Sequence, residues 1–481
     1  MRPATLCRLA VAGNRTDHLR TALTAASSAT AVVALLAAAT VLAIERAPDV
    51  ILPGGGIEAG PNAHYSTTLL AEAGLRVGVV IALVLLTLPV LALAGQAVRL
   101  GAPARDRRLA AIRLAGATPG EAMLIAGAET VVAALLGSVA GLGVFLLLRV
   151  VLERRDANGD LLLPTDVLPS PLWIVVLTLL IPVVAGVVGA VLLRRVAIGP
   201  LGVVRRTRSR GPRPWPGILI IAGLLMFELP RVVTGLVAGT RSWAVALGSG
   251  AVLTVVGVVL GTGWISYTTG RLLQRSGRRP AMLLAGRRLM ADPWSGSRTL
   301  GALLATVIVG AVALRYRSYL LTEFEAYDRY YAVHPAERAG SGADEGFYTG
   351  AIDLIMVAVG IGVVIAAAGM LISLAEGIVA RRRSYAALTA VGVPGRTLTE
   401  SVLWQTMLPL VPALLLALTS GSVLMRSTRE IRAGDIRLQV PVPLESLALL
   451  GGGAFLIMLI MTGVGLLVLR SSTDLEELRV G

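Results

Sequence analysis

The chain has no lysine; its 44 basic residues other than histidine are all arginine. A Walker A loop needs a lysine on the nucleotide phosphates, so none is encoded here, and any ATP-driven work must draw on an ATPase in another chain. The only cysteine is Cys7, which excludes an intrachain disulfide. His18, His64 and His334 are too far apart in sequence for metal-ligand spacing, and no metal site is expected. Aromatic residues make up 4% of the chain and charged residues 15%, against about 25% charge in an ordinary soluble protein. No Ser/His/Asp set, pair of catalytic carboxylates or glycine-rich phosphate loop stands out, so an enzyme activity of its own is not expected. Arginine used to the exclusion of lysine fits the codon bias of a GC-rich bacterial genome, of actinobacterial type.

What is present is apolar. Hydrophobic residues reach 55%, gathered in runs of about twenty or more, the signature of membrane spans. Ten spans are expected: Thr21–Ile44, Glu72–Val98, Ala122–Leu148, Leu172–Leu193, Trp215–Ala238, Trp243–Thr268, Thr299–Leu321, Gly350–Ala375, Thr399–Met425 and Leu444–Leu469. The first begins near Thr21 and is long enough to cross, so it reads as a retained helix rather than a cleaved leader. Net charge is +15. A basic balance can signal nucleic acid, but these arginines flank spans, and the positive-inside rule accounts for them. The loops at 99–121, 194–214, 270–298 and 381–396 are arginine-rich and read as cytoplasmic. The loops at 45–70, 149–171 and 322–348 hold most of the acids and read as external. Both termini then lie inside. The expected fold is an all-α polytopic protein of the bacterial plasma membrane, in contact with membrane lipids and not with nucleic acid.

One stretch occurs twice. RDRRLAAIRLAGATPGE, Arg105 to Glu121, matches RRRSYAALTAVGVPGR, Arg381 to Arg396, at a constant offset of 276 positions. Arg107 aligns with Arg383, Ile112 with Leu388, Gly116 with Gly392, Ala117 with Val393 and Thr118 with Pro394. Each copy reads as a short helix at the inner membrane surface through which a partner can push on the membrane domain. Arg107, Arg108, Arg381, Arg382 and Arg383 can hold lipid phosphates and keep the segment out of the hydrocarbon. Ala111, Ile112 and Ala115, with Ala387, Leu388 and Val391, offer apolar knobs for a helix-in-groove contact. Gly116 and Gly392 suit a helix C-terminus. Thr118, Pro119 and Glu121 have the spacing of an N-cap, first helical position and capping-box partner. A plain basic loop that only sets topology is the alternative, and the matched frame of two copies weighs against it. The duplication divides the chain into a first four-span unit (1–200), a linker with two spans (201–270) and a second four-span unit (271–481). The even number of linking spans makes the units parallel repeats.

These residues resemble a family. A basic cluster, an apolar–Arg–apolar–Gly-Ala-Thr turn with Arg113 at its centre, and a glycine-rich span (RDRRLAAIRLAGATPGEAMLIAGAETVVAALLGSVAGLGV) are similar to the signature of FtsX-like ABC transporter permeases. ARRRSYAALTAVGVPGRTL is a weaker copy, with Thr389 in place of the arginine and Val393-Pro394 in place of Ala-Thr. LLAGRRLMADPWSGSRTL resembles the surface element that precedes the first span in that family, and LAVAGNRTDHLRTAL is its looser counterpart. The resemblance implies a duplicated ten-helix permease without a large external domain. It implies a separate cytoplasmic ABC ATPase as partner, two copies per chain, carrying the ATP and magnesium, with no cofactor on this chain. The short outer loops then suit export or membrane extraction of an amphipathic or lipidic substrate, such as an antimicrobial peptide.

Four polar residues inside spans are singled out. Glu129 lies in the third span, with Gln405 as its match at the 276 offset; a buried acid there is an ion site or a polar clamp between helices. Glu228 and Arg231, three apart in the fifth span, can pair on one helix face, or repair the backbone around Pro230. Two other functions stay open on the sequence: an ion-gradient-driven secondary transporter, which would need Glu129 or Glu228 as ion sites, and a signalling subunit of the same family that moves no solute.

Overall fold

The computed structural model describes residues 15–45, 49–51, 57–59, scattered positions from 62 to 90, 114, 116, 118–156, 159–194, 211–232, 240–335, 345–425 and 430–471. The described chain is helical nearly throughout, in two compact units, Met1–Ser209 and Arg210–Gly481. The first holds α1 (Arg15–Ala43), α2 (Pro119–Val151) and α3 (Pro171–Arg194). The second holds α4 (Pro216–Val232), α5 (Thr240–Ser276), α6 (Pro280–Ala291), α7 (Trp294–Val333), α8 (Glu345–Ala380), α9 (Arg382–Ala390), α10 (Gly395–Leu424) and α11 (Leu444–Ser471). Among the described residues, seven helices are long and apolar enough to cross a membrane, and Pro171–Val187 and Pro216–Glu228 are shorter apolar helices. Nine of the ten expected spans are therefore helices. Of the second span only scattered positions from Arg76 to Val90 are described, all helical. The chain is an all-α, multi-pass membrane protein.

In the first unit α1 packs along α2, and small residues set the distance. Gly137 and Gly141 are one turn apart, and a Cβ at either would come within 2.2 Å and 2.6 Å of the carbonyl oxygens of Ala25 and Ala29. This is the small-xxx-small contact that lets helix backbones approach in lipid. The outer loops of this unit are tied together. Antiparallel strands β1 (Asp49–Ile51) and β2 (Ile57–Ala59) form a short hairpin. The buried Arg76 guanidinium donates to four carbonyls, Leu70 at 2.7 Å and Ile44, Glu45 and Ala71 at 3.1 Å. The Tyr65 hydroxyl donates to Asp166 at 2.8 Å. Burial, helped by that carboxylate, pushes the phenol well above its ordinary value of 10, so it stays a donor. Asp166, one of the outer-loop acids, thus serves structure here.

In the second unit one apolar core is shared by residues of α4, α5, α7, α8, α10 and α11, among them Val258, Leu304, Met370, Leu410 and Met458. The hairpin α4–α5, read from sequence as a linker, packs into this unit: Gly223 of α4 and Gly250 of α5 lie too close for a side chain on either, and α5 also runs against α6, α7 and α10.

Two outer segments differ from the sequence expectation. The seventh span was placed at Thr299–Leu321 with an acidic loop after it, but α7 continues unbroken to Val333. Its extension carries a Glu325–Arg329 ion pair and a Tyr327–Tyr331 stack, both at the i,i+4 spacing that supports a helix. The short loop after α10 contains a second hairpin, β3 (Glu430–Ala433) and β4 (Ile436–Gln439). Its Ile431 and Ala433 pack with Ala326 of α7. The buried Arg315 of α7 donates to the carbonyls of Val440 and Pro441, and Ser318 donates to that of Pro441 at 2.7 Å.

Candidate functional site

The second arginine stretch is described almost whole. Arg381 turns the chain off α8, and α9 runs from Arg382 to Ala390. It ends on Gly392 with φ +91°, a left-handed position that glycine adopts without a Cβ penalty. The Gly392 amide donates to the Thr389 carbonyl at 2.9 Å and the Val393 amide to the Leu388 carbonyl at 3.0 Å. This pair of bonds is a Schellman motif, which usually brings the residue after the glycine onto the one that accepts its amide. Leu388 and Val393 are both half-buried and pack on the cluster of Ile378, Tyr385, Leu398 and Val402. Two residues that the sequence offers to a partner therefore hold α9 onto its own unit. Ala387 and Val391 point outward, Val391 with 86% of its surface exposed. Pro394 caps α10 through its backbone alone. The side chains of Arg382 and Arg383 lie outside the described residues.

The first copy is described only at its end. Arg107, Arg108, Ile112, Arg113 and Ala117 lie outside the described residues. Leu114 is helical and 90% exposed, and Gly116 has φ +96°. The two copies thus share a left-handed glycine with an exposed apolar residue just before it: Leu114 two positions ahead in one, Val391 one position ahead in the other. Leu114 escaped the sequence reading, which took its neighbours at 111, 112 and 115. Beyond Gly116 the spacing is realised as a capping box. The Thr118 hydroxyl accepts from the Glu121 amide at 3.3 Å, and the Thr118 amide donates to Glu121 Oε2 at 2.9 Å. The hydrogen bond from the Thr118 amide, then that from its hydroxyl, hold the Glu121 carboxyl below the usual glutamate range.

A further contact reaches α9 from the surface helix α6. Arg288 donates to the Tyr385 hydroxyl at 2.6 Å, and its guanidinium carbon lies 4.6 Å from the ring centroid. The sequence reading marked α6 as a surface element but gave no role to Arg288 or Tyr385. No spacing rule links positions 97 residues apart.

Inside the spans, Glu129 and Gln405 part company. Glu129 forms an ion pair with Arg20 of α1 at 2.6 Å, with 11% and 5% of the side chains exposed. This geometry is that of a clamp between α1 and α2. Gln405 lines a cavity in the second unit. Glu228 Oε1 is buried with no hydrogen-bond partner among the described residues, and the Arg231 side chain, its expected mate, lies outside them. Among the described residues no cluster of three or more metal-binding side chains occurs.

Both arginine stretches fall inside regions that match one family. The FtsX-like permease C-terminal model matches the chain twice, over residues 78–200 and 356–473, about half of its length. The chain belongs to the FtsX-like permease family. No curated protein matches it. FtsX-like permeases are the non-catalytic membrane component of ABC-type systems and pair with a cytoplasmic ATPase. Each matched region runs through one arginine stretch and the spans on either side of it, so the duplication at an offset of 276 is a duplication of this domain. Membership also places the protein in the cell membrane.

Proposed function

We propose that this FtsX-like permease couples ATP binding and hydrolysis on two cytoplasmic ATPase subunits to export, or extraction from the membrane, of an amphipathic or lipidic substrate, with antimicrobial peptides as one class. ATP and magnesium are held by the ATPase, and this chain binds no cofactor. One docking segment per unit, Arg105–Glu121 and Arg381–Arg396, receives the motion. The observation that carries this reading is the pair of left-handed glycines, each with an exposed apolar side chain before it, on the face that the arginine loops assign to the cytoplasm. An exposed leucine and valine beside arginines suit a groove on a soluble partner. The Schellman staple and the Arg288–Tyr385 contact give α9 a firm footing, so a push on it reaches α6, α8 and α10. Ion-gradient transport finds less support, because Glu129 is already matched by Arg20.

The test is a pull-down from membranes of the tagged chain, followed by peptide mass spectrometry for a Walker A-containing subunit. Wild type should retain an ATPase, and the double variant Leu114→Asp, Val391→Asp should lose it while keeping its thermal melting point. Recovery of the ATPase with the double variant, or its absence from wild type, would overturn the reading.

A further inference from the structure

The second unit contains a cavity of about 130 Å³ that α5, α6, α7, α8 and α10 enclose. Its wall is divided. Ser266, Ser373, Gln405 and Thr406 supply polar groups, Met370, Leu374, Ile378 and Val402 supply apolar ones, and Arg381 supplies a cation. One of the polar groups is unspent. The Ser266 hydroxyl is fully buried and has no hydrogen-bond partner. A buried polar atom left without a partner is costly and calls for an occupant.

Position narrows the chemistry of that occupant. Arg381 sits where α8 meets α9, on the arginine-rich inner side. Met370 lies eleven residues before it, about 16 Å up the helix. The cavity therefore runs from the inner surface to the depth of one leaflet of a hydrocarbon layer about 30 Å thick. A cation at the surface, hydroxyls and an amide below it, and a methionine–leucine wall deeper still follow the polarity of an inner-leaflet lipid from head to chain. Arg381 has no ion pair among the described residues.

We propose that this cavity is a binding site for one anionic phospholipid of the inner leaflet, its phosphate on Arg381, its ester region at Ser266 and Gln405, and part of one acyl chain against Met370 and Leu374. Tyr385, the anchor of α9, lines the same cavity, so occupancy bears on how firmly α9 is seated. Binding itself does not depend on what α9 meets in the cytoplasm, and its test is independent of the ATPase.

The full chain is reconstituted in nanodiscs of phosphatidylcholine with a minority of phosphatidylglycerol, released gently, and examined by native mass spectrometry. Wild type should retain one phosphatidylglycerol per chain in preference to phosphatidylcholine. A Cβ at Gly377 meets nothing within 4 Å, so Gly377→Leu extends a side chain into the cavity without a backbone clash, and it should lower retention about tenfold or more, a change of 1.4 kcal/mol. Arg381→Gln should bring the two lipids to parity. Unchanged retention in Gly377→Leu, or no preference in wild type, overturns the proposal. A phosphatidylglycerol with a photoreactive acyl chain provides a readout on wild type alone: labelling of the peptide that holds Met370 and Leu374 supports the site, and labelling confined to other peptides overturns it.

Discussion

The two units repeat one domain, and they differ at matched positions of the helices that the repeat shares. At the 276 offset Glu129 becomes Gln405, Gly137 and Gly141 become Ala413 and Ala417, and Thr118 becomes Pro394. The first unit joins α1 to α2 with an ion pair and two bare glycines, and starts α2 on a capping box. The second replaces these with an amide, two buried alanines and a backbone cap, and opens a cavity beside the amide. At these matched positions one unit carries polar and steric locks, and the other an apolar core that leaves room within it. A duplicated membrane domain can thus keep its helix order while the copies divide rigidity and accommodation between them.

The largest effect expected from this contrast is at the ion pair. Glu129→Leu removes the carboxylate that the buried Arg20 meets at 2.6 Å and should cost about 3–5 kcal/mol, the usual penalty for breaking a buried pair. Gln405→Leu removes a neutral group and should cost about 1 kcal/mol or less. Thermal melting of the purified variants in detergent decides, and equal losses would erase the distinction between the units.

A smaller effect is expected at the glycines. Gly137→Val sets a side chain against the Ala25 backbone, which cannot swing aside, and should destabilise by about 1–3 kcal/mol as overpacking does. The reverse exchange in the second unit, Ala413→Gly, should cost about 0.5–1 kcal/mol from backbone freedom alone. If Gly137→Val melts like wild type, the first unit is no more tightly fitted than the second.

The smallest effect lies at the cap. Thr118→Ala should cost about 1 kcal/mol, and Pro394, with no side-chain bond to lose, has no counterpart effect. Because the folded Glu121 carboxyl titrates below its ordinary value of 4.5, its contribution is complete above pH 4.5 and is lost as the pH falls through the lower folded value. The protection factors of the amides in the first turn of α2, each taken relative to the intrinsic exchange rate at that pH, should therefore fall in acid, while those in the first turn of α10 should not follow. An equal fall at both would show that the box does not set this helix start.

What the sequence made legible were the features with a period or a fixed spacing. Apolar runs located nine described helices, though not the outer end of α7, Gly116 and Gly392 marked two helix ends, and Thr-Pro-Gly-Glu spelled the capping box in advance. Contacts between distant residues were not legible. Arg20 looked like one of several surface arginines, and only the packing of α1 on α2 brings it to Glu129. Leu388 looked like a partner contact because apolar residues on a short surface helix have two possible neighbours, and the Schellman turn decides in favour of the unit itself. The outer third of α7 reads as a loop in the sequence because acids interrupt its apolar run. Charge marks where a helix leaves the membrane and not where it ends.

The unbroken course of α7 has a mechanical side. Forty residues of continuous helix make a rod about 60 Å long, while the hydrocarbon layer is about 30 Å thick. Its outer third extends past the expected span; α7 is tied near its middle to the segment after the β3–β4 hairpin through Arg315, and farther out to the hairpin itself through Ala326. A rod without a hinge turns a small angle at one end into travel at the other. A tilt of about 10° at the cytoplasmic end of such a helix carries its far end through about 10 Å, so the hairpin beyond the membrane becomes the pointer on which a slight movement inside is written large.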